Sequence, residues 1–504
     1  MSRYVVALDF GHGGAKVLCY DLDTGRRFSA YQRWGYFTPE HDEYRKEFHP
    51  DEFFSVFCHL VHDTLQHHKI KPHDVLGISL ASMRHSYVFL DDKGKEVYAG
   101  PNTDVRGVFY QDVIEGVPLD LYQMTGQGPP LMFLPARLLW FKNEQPEVFK
   151  KIKYAITTGD WLLYRLSGVY ATEPSLASTT LLYNLEKQQW MPEVMAALGM
   201  SEVSLPEVHQ AGERIGGLTR EAAKAMGLSE DTAVAVGGSD TQLGLLASGA
   251  TADGDVGAVA GTSIPVMMVL SRPVVDPKRR IWTSFHVVPG AWVLEGNGQM
   301  GGLVYDWLMG NVQSMTGKNE ADTYAYMESI ARTIPAGSDG VLASLGSEIF
   351  DINTISVVRP GALRFMQPVH PMNTTPATFA HFIRAALENI AFAVRGNIEQ
   401  IEEITQRKTP LLRVTGGMTK NRLWAEILAQ VTGKTVRVTT IDDGTAMGSA
   451  LCAAVGAGVY PSLTQAVKDL VHLQPEIVPD EETVKIYDRC YETWREWYGK
   501  LPDM

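Results

Sequence analysis

The stretch ALDFGHGGAK, Ala7 to Lys16, constrains the chain more than any other. The apolar run YVVALDF that carries it has the character of a strand covered on both faces. Asp9 closes the strand, Gly11, Gly13 and Gly14 open the backbone, and Lys16 ends the turn. Bare N–H groups in such a turn can hold an anion, and the same residues also make an ordinary hairpin. His12 stands at the centre, where a phosphate loop more often carries a small hydroxyl.

The rest of the chain repeats this logic. DEFFSVFCHLVHDTL puts Phe53, Phe54, Phe57, Leu60 and Val61 on one helical stripe. DVLGISLA and TAVAVGGSD read as further inner strands, the latter ending in Asp240. The pattern then restarts: GDVGAVAGTSIPVMMVL reads as a second apolar hairpin, ATFAHFIRAALENIAFAVRGNIEQI as a long amphipathic helix, and LLRVTGGMTKNRLWAEILAQVTG as strand, glycine turn and helix. EETVKIYDRCYETWREWYGK reads as a terminal helix with one aromatic stripe. Two hairpins with small, polar turns suggest an internal duplication. With 504 residues the chain is too long for one core, so we expect two α/β domains, 1–247 and 248–504.

Composition excludes several classes of function. A formal charge of −13 argues against a general nucleic-acid surface, which needs clustered Lys and Arg, though a few local donors can still bind phosphate. Cys19, Cys58, Cys452 and Cys490 are scattered without CxxC spacing, as suits a reducing cytoplasm. The apolar run at the N-terminus is too short for a signal peptide and no stretch is long enough to span a bilayer, so no membrane partner is expected. His59 and His62, one helical turn apart and followed by His67 and His68, have the spacing of a zinc pair. No HExxH pattern or acidic partner segment accompanies them, and a solvated helix face is the better reading.

Four stretches form one candidate composite site. Asp9 and Lys16 belong to the first. In GGSDTQ, Asp240 lies at the carboxyl end of a strand, where α/β folds place ligands; it can accept a proton from a hydroxyl or simply start a helix. The turn Gly261–Thr262–Ser263 offers N–H and hydroxyl donors, as many turns do. In VTGGMTKN, Gly416 and Gly417 leave bare backbone on which a flat base can lie.

In this order and spacing the stretches resemble the FGGY family of carbohydrate kinases over nearly the whole chain. The most specific likeness is VTGGMTKNRLWAEILAQVTGKTVRV followed by TAMGSALCAAVGAGVY; GDWLLYRLSG and LEGNGQMGGLVYDWL add to it. The resemblance implies two actin-like (ribonuclease-H-like) domains with a catalytic cleft between them, the first binding a small sugar-like substrate and the second ATP. It implies Asp240 as general base, and Asp9 as the residue that positions Mg²⁺ through water. Gly11, His12, Gly13, Lys16, Gly261 and Thr262 would face phosphate, and Gly416, Gly417 and Asn421 would line the adenosine site. Met83, Arg84, His85, Asp104 and Gln242 would meet the substrate together with Asp240.

The family's first loop usually reads Asp-x-Gly-Thr-x-Ser-x-Arg/Lys. Here His12 and Gly14 replace both hydroxyl residues. SMRHS and NTDVRG resemble the sugar-contacting segments of autoinducer-2 kinases more than those of the xylulose type, because Asn102 stands where a Trp is usual, although His85 replaces a Glu. The expectation is an acyclic five-carbon ketose or dihydroxydione as substrate, with a pentulose or other polyol as the alternative. A catalytically weak sugar or nucleotide sensor is the reading from a different class. Homodimer formation is left open.

Overall fold

The opening strand lies in the middle of a sheet, as its apolar run requires. The computed structural model describes residues 3–355, 359–368 and 376–502. The first sheet contains β1 (Tyr4–Gly11), β2 (Gly14–Asp21), β3 (Arg27–Arg33), β4 (Val75–Ser82), β5 (Arg214–Gly217), β6 (Ala233–Ala235) and β7 (Gly238–Ser239). Its order is β5-β6-β4-β1-β2-β3, with β7 beside the end of β4. The run expected as one strand before Asp240 is split into β6 and β7. Val236 between them bonds to Glu213 and Gly212 instead of β4.

The second sheet contains β8 (Val256–Val259), β9 (Pro265–Leu270), β10 (Trp282–Phe285), β11 (Trp292–Asn297), β12 (Leu411–Thr415) and β13 (Thr435–Val438), in the order β10-β11-β9-β8-β12-β13. The duplication suggested by the two hairpins is visible in the pairing. Read from β6 through β4, β1 and β2 to β3, the neighbours are parallel, parallel, antiparallel, antiparallel. The series β13, β12, β8, β9, β11 has the same pattern.

Helices cover the sheets as their stripes dictate. In α1 (Pro50–His68), Phe53, Phe54, Phe57 and Val61 are buried, each large side chain contributing about 1.5–3 kcal/mol. Its histidines are otherwise engaged: His59 with Ser55, His62 with Asp63, and His68 stacked on Phe28. Five further helices matter here: α2 (Asp240–Ala247), α3 (Gly301–Thr316), α4 (Phe379–Thr405), α5 (Arg422–Thr432) and α6 (Gly444–Gly456). Helix α7 (Glu481–Tyr498) buries Tyr487, Tyr491 and Trp494 on one face. Helices α2 and α6 pack together between the two sheets. Leu243, Leu246 and Ala247 of α2 and Met447, Ala450 and Leu451 of α6 share a core with Val5, Ala7 and Leu18 of the first sheet. Among the described residues no helix is long and apolar enough to cross a membrane.

Candidate active site

Three strand ends of the first sheet finish at one level. Across β1, β4 and β7, Asp9 and Gly238 both align with Ala81, and Phe10 and Ser239 both align with Ser82. Asp9 on β1, the Met83–His85 segment after β4 and Asp240 after β7 are therefore brought together, at the carboxyl edge where ligands bind in such sheets. Lys16 is the cross-strand partner of Asp9. Its Nζ lies 3.0 Å from Oδ2 of Asp443, the N-cap of α6, which accepts the Ala446 N–H through Oδ1. Asp443 escaped the sequence reading, although an Asp before a Gly-rich helix is a cap signal. The Thr445 hydroxyl donates to the Asp240 carbonyl at 3.3 Å, which fixes α6 against the start of α2.

Asp9 and Asp443 thus share one lysine, while Asp240 has Arg84 as its cationic neighbour. Burial pushes Asp9 up to about 7, with Asp443 and Asp240 adding to the shift and Lys16 opposing it. Asp240 is also raised, by burial first, against the pull of Arg84 and of its own helix donors. Its Oδ1 accepts the Thr241 N–H at 2.7 Å and hydroxyl at 3.1 Å. Asp240 keeps partial solvent access, so Oδ2 remains open to a ligand. Among the described residues no three acids or histidines gather closely enough to hold a metal ion by themselves, so an ion here would depend on water and phosphate oxygens for the rest of its ligands.

The opening loop explains its own departure from the family pattern. A Cβ on Gly14 would lie 2.4 Å from the Gln32 carbonyl and 2.8 Å from the Tyr31 ring, so no serine fits this backbone. Tyr31 crosses the turn and donates to the Gly13 carbonyl at 3.1 Å. The His12 carbonyl accepts from Trp34 Nε1 at 3.1 Å and from the Tyr36 hydroxyl at 2.7 Å, while its exposed ring lies beside Tyr36. Gly11 pairs with Gly14 to close the hairpin. Aromatic side chains from β3 and beyond therefore replace the lost hydroxyls as braces.

The second half builds a matching cradle. Ala260 donates to the Thr415 carbonyl at 2.6 Å and accepts from the Met418 N–H at 3.1 Å, which joins the Gly261–Ser263 turn to the Gly416–Gly417 turn. Gly416 has φ 108° and approaches Ala260 so closely that a Cβ would sit 2.5 Å from its oxygen. Gly417 is exposed beside open space, and Thr262 is exposed as well. Asn421 is committed to structure: Oδ1 caps Trp424 at 3.1 Å and Nδ2 donates to the Tyr305 hydroxyl at 2.6 Å.

On the substrate side Arg84 makes a bidentate pair with Glu295 of β11, both bonds 2.8 Å. Neither Glu295 nor Trp282, whose ring centroid lies 5.7 Å from the guanidinium carbon, was legible as a site residue. His85 adopts φ 58°, is 8% exposed and packs its ring beside Phe133 and Trp282, with the Thr179 backbone as a weak hydrogen-bonding neighbour. Burial first, then Arg84 and Arg137, push it down to about 3, so the ring is neutral.

Matches to family models decide the assignment: FGGY carbohydrate kinase N-terminal domain over residues 4–247, and the C-terminal domain over 256–457. The chain belongs to the FGGY family of carbohydrate kinases. It is 29% identical to an autoinducer-2 kinase of Yersinia enterocolitica over 98% of this chain and 94% of that protein. The fold matches a gluconate kinase from Lactobacillus acidophilus (TM-score 0.83, 20% identity, 99% of this chain and 98% of that one). It matches a xylulose kinase from Rhodospirillum rubrum equally well (TM-score 0.83, 23% identity, with the same coverage). The two-domain α/β fold is that of FGGY sugar kinases, and the protein is an ATP-dependent sugar phosphotransferase.

Within this FGGY kinase the expected substrate residues divide into two groups. Arg84, His85 and Asp240 converge. Met83 instead buries its side chain in the core with Leu8 and Phe10. Asp104 is fully buried and occupied by Arg106 and by the Tyr98 hydroxyl at 2.8 Å. Gln242 bonds to Ser239 through Oε1 and to Ser284 of β10 at 3.0 Å through Nε2, so it braces α2 against the second sheet. Trp282 is the aromatic beside Arg84, but its ring is 5% exposed and packed against Arg84, His85 and Phe350. It gives the site little open surface on which a sugar ring could stack.

Proposed function

We propose that this kinase phosphorylates a terminal hydroxyl of a short, acyclic, oxygen-rich substrate, a five-carbon ketose or dihydroxydione of the autoinducer-2 type. The observation that carries the reading is the convergence of Asp240, Arg84 and neutral His85 at one sheet edge, beside the Asp9–Lys16–Asp443 cluster. The relatedness to autoinducer-2 kinases across nearly the full chain supports the choice of substrate.

Asp240 Oδ2 takes the proton from the substrate hydroxyl as that oxygen bonds to the γ-phosphorus and the bond to the leaving ADP oxygen breaks. Lys16, the loop N–H groups around Gly11 and Gly13, and the Gly261–Thr262 turn hold phosphate oxygens. Gly416 and Gly417 support the adenine, and Asn421 fixes the start of α5 beside it. Asp9 would hold Mg²⁺ through water, and the ion supplies charge neutralisation to the phosphates. Residues 1–247 then form the sugar-binding domain and 248–504 the nucleotide domain. The cytoplasm, where ATP is available and cysteines stay reduced, is the natural compartment; Cys19, Cys58 and Cys452 are buried and free.

The test is ADP release with ATP and Mg²⁺ against tetroses, pentuloses, hexuloses, glycerol and dihydroxypentanedione. Fastest turnover of an acyclic five-carbon compound supports the reading. A hexose or glycerol turned over far faster would refute the substrate choice.

A further inference from the structure

We infer that Glu295 is a specificity-determining residue: by occupying the guanidinium of Arg84 it restricts the substrate site to uncharged polyols and carbonyl compounds and rejects sugar acids. The inference rests on the reading that Arg84 and His85 face the substrate, and assigns a role to a residue from the other half of the chain.

Glu295 lies inside the otherwise apolar strand WVLEGN and has no exposed surface. A carboxylate there is costly unless fully paired. Both its oxygens are taken by the two terminal nitrogens of Arg84, in the fork-to-fork geometry that an arginine otherwise offers to a ligand carboxylate. Trp282 is the cross-strand partner of Glu295 and places its indole beside the same guanidinium. Arg84 is thus committed on its charged end before any substrate arrives. Its Nε–H is not used by either bond to Glu295.

Two further arginines behind the site are engaged within the protein. Arg106 is held by Asp104 and Glu47. Arg137 donates to the carbonyls of His85, Gly100 and Pro101 and to the Tyr98 hydroxyl, which in turn donates to Asp104. His85 presents an uncharged ring with one donor and one acceptor, which matches hydroxyl and carbonyl oxygens. A substrate carboxylate beside Arg84 would meet a cation already neutralised, with Glu295 and Asp240 as nearby like charges. A neutral substrate meets no such penalty. Discrimination therefore comes from repulsion as well as fit.

The experiment uses the full chain with ATP and Mg²⁺. Neutral probes are ribitol, D-xylulose and dihydroxypentanedione; acidic probes are D-ribonate and D-xylonate. The wild type should turn over at least one neutral compound, with kcat/KM for the acids lower by about a hundredfold or more. Glu295→Gln keeps the shape and frees one arginine donor, so the acid-to-neutral ratio of kcat/KM should rise by about tenfold or more. Arg84→Gln combined with Glu295→Gln should lose that gain, since the guanidinium that Glu295→Gln frees is then gone. An unchanged ratio in a Glu295→Gln protein with wild-type melting and ATP binding overturns the inference. So does a wild type that phosphorylates the acids as well as the neutral compounds, a result that stands even if the variant does not fold. A wild type that turns over no probe of either kind refutes the substrate reading itself, and the inference with it.

Discussion

Replacing Asp240 by Asn tests the chemistry most directly. Asn keeps the side-chain shape, and its Oδ1 can still accept the Thr241 N–H and hydroxyl that orient the native carboxylate. What changes is the second position, where an amide N–H₂ replaces the open Oδ2. An amide cannot take a hydroxyl proton near neutral pH, so kcat should fall by about 10²–10⁴, a barrier increase of about 2.7–5.4 kcal/mol. Folding should not suffer. Burial raises the Asp240 pKa, so the native state bears a cost for its negative charge at neutral pH. A neutral isostere removes that cost, and the melting temperature should stay level or rise. Nucleotide affinity, which the proposal assigns to the two glycine turns and Lys16, should be nearly unchanged. The assay is a coupled ADP measurement at saturating ATP, with calorimetric ATP binding and a thermal melt on the same preparation. Turnover within tenfold of wild type would remove Asp240 from the role. A parallel loss of ATP binding and melting temperature would mean that the side chain is structural.

Gly14→Ser, which restores the family residue, should destabilise, because its Cβ would sit 2.4 Å from the Gln32 carbonyl; overpacking of this kind costs about 1–3 kcal/mol, and an unchanged melting temperature would contradict the account of the loop. If Asp9, pushed up to about 7, holds Mg²⁺ as proposed, it must be deprotonated to do so, and apparent Mg²⁺ affinity in the presence of ATP should fall as pH drops below that value; a flat response from about pH 5.5 to about 7.5 would count against this. Its folded pKa lies above the ordinary carboxylate value, so this group's contribution to the stability of the nucleotide-free protein decreases as pH climbs from that value to about 7, which denaturant titrations can follow. Lys16→Ala leaves Asp9 and Asp443 without their shared cation, and should weaken ATP binding or its use more than substrate binding; equal losses for both would indicate misfolding instead.

How far the sequence could be read depended on how local each signal was. The stripe of α1, the hairpin at Asp9 and Lys16, and the strand end at Asp240 are encoded within a few residues, and each stands in the structure as its pattern implies. The partners that set their electrostatic state are not local. Glu295 is 211 residues from Arg84 in the chain; it lies in the family-like stretch LEGNGQMGGLVYDWL, but nothing in that stretch points to Arg84. Asp443 reaches Lys16 only because α6 of the second half packs on the first sheet. Met83, Asp104 and Gln242 show the same limit from the other side: the sequence offers them to a substrate, and the structure adds their contacts with the core, with Arg106, and with Ser239 and Ser284. A sequence pattern shows which groups stand at a sheet edge. Whether such a group is free, paired or neutral is decided by elements that approach from elsewhere, and specificity in this kinase is argued from that second layer. For that reason Arg84, expected from the sequence to meet the substrate, has to be considered together with Glu295, which holds its two terminal nitrogens and leaves Nε–H unused by that pair.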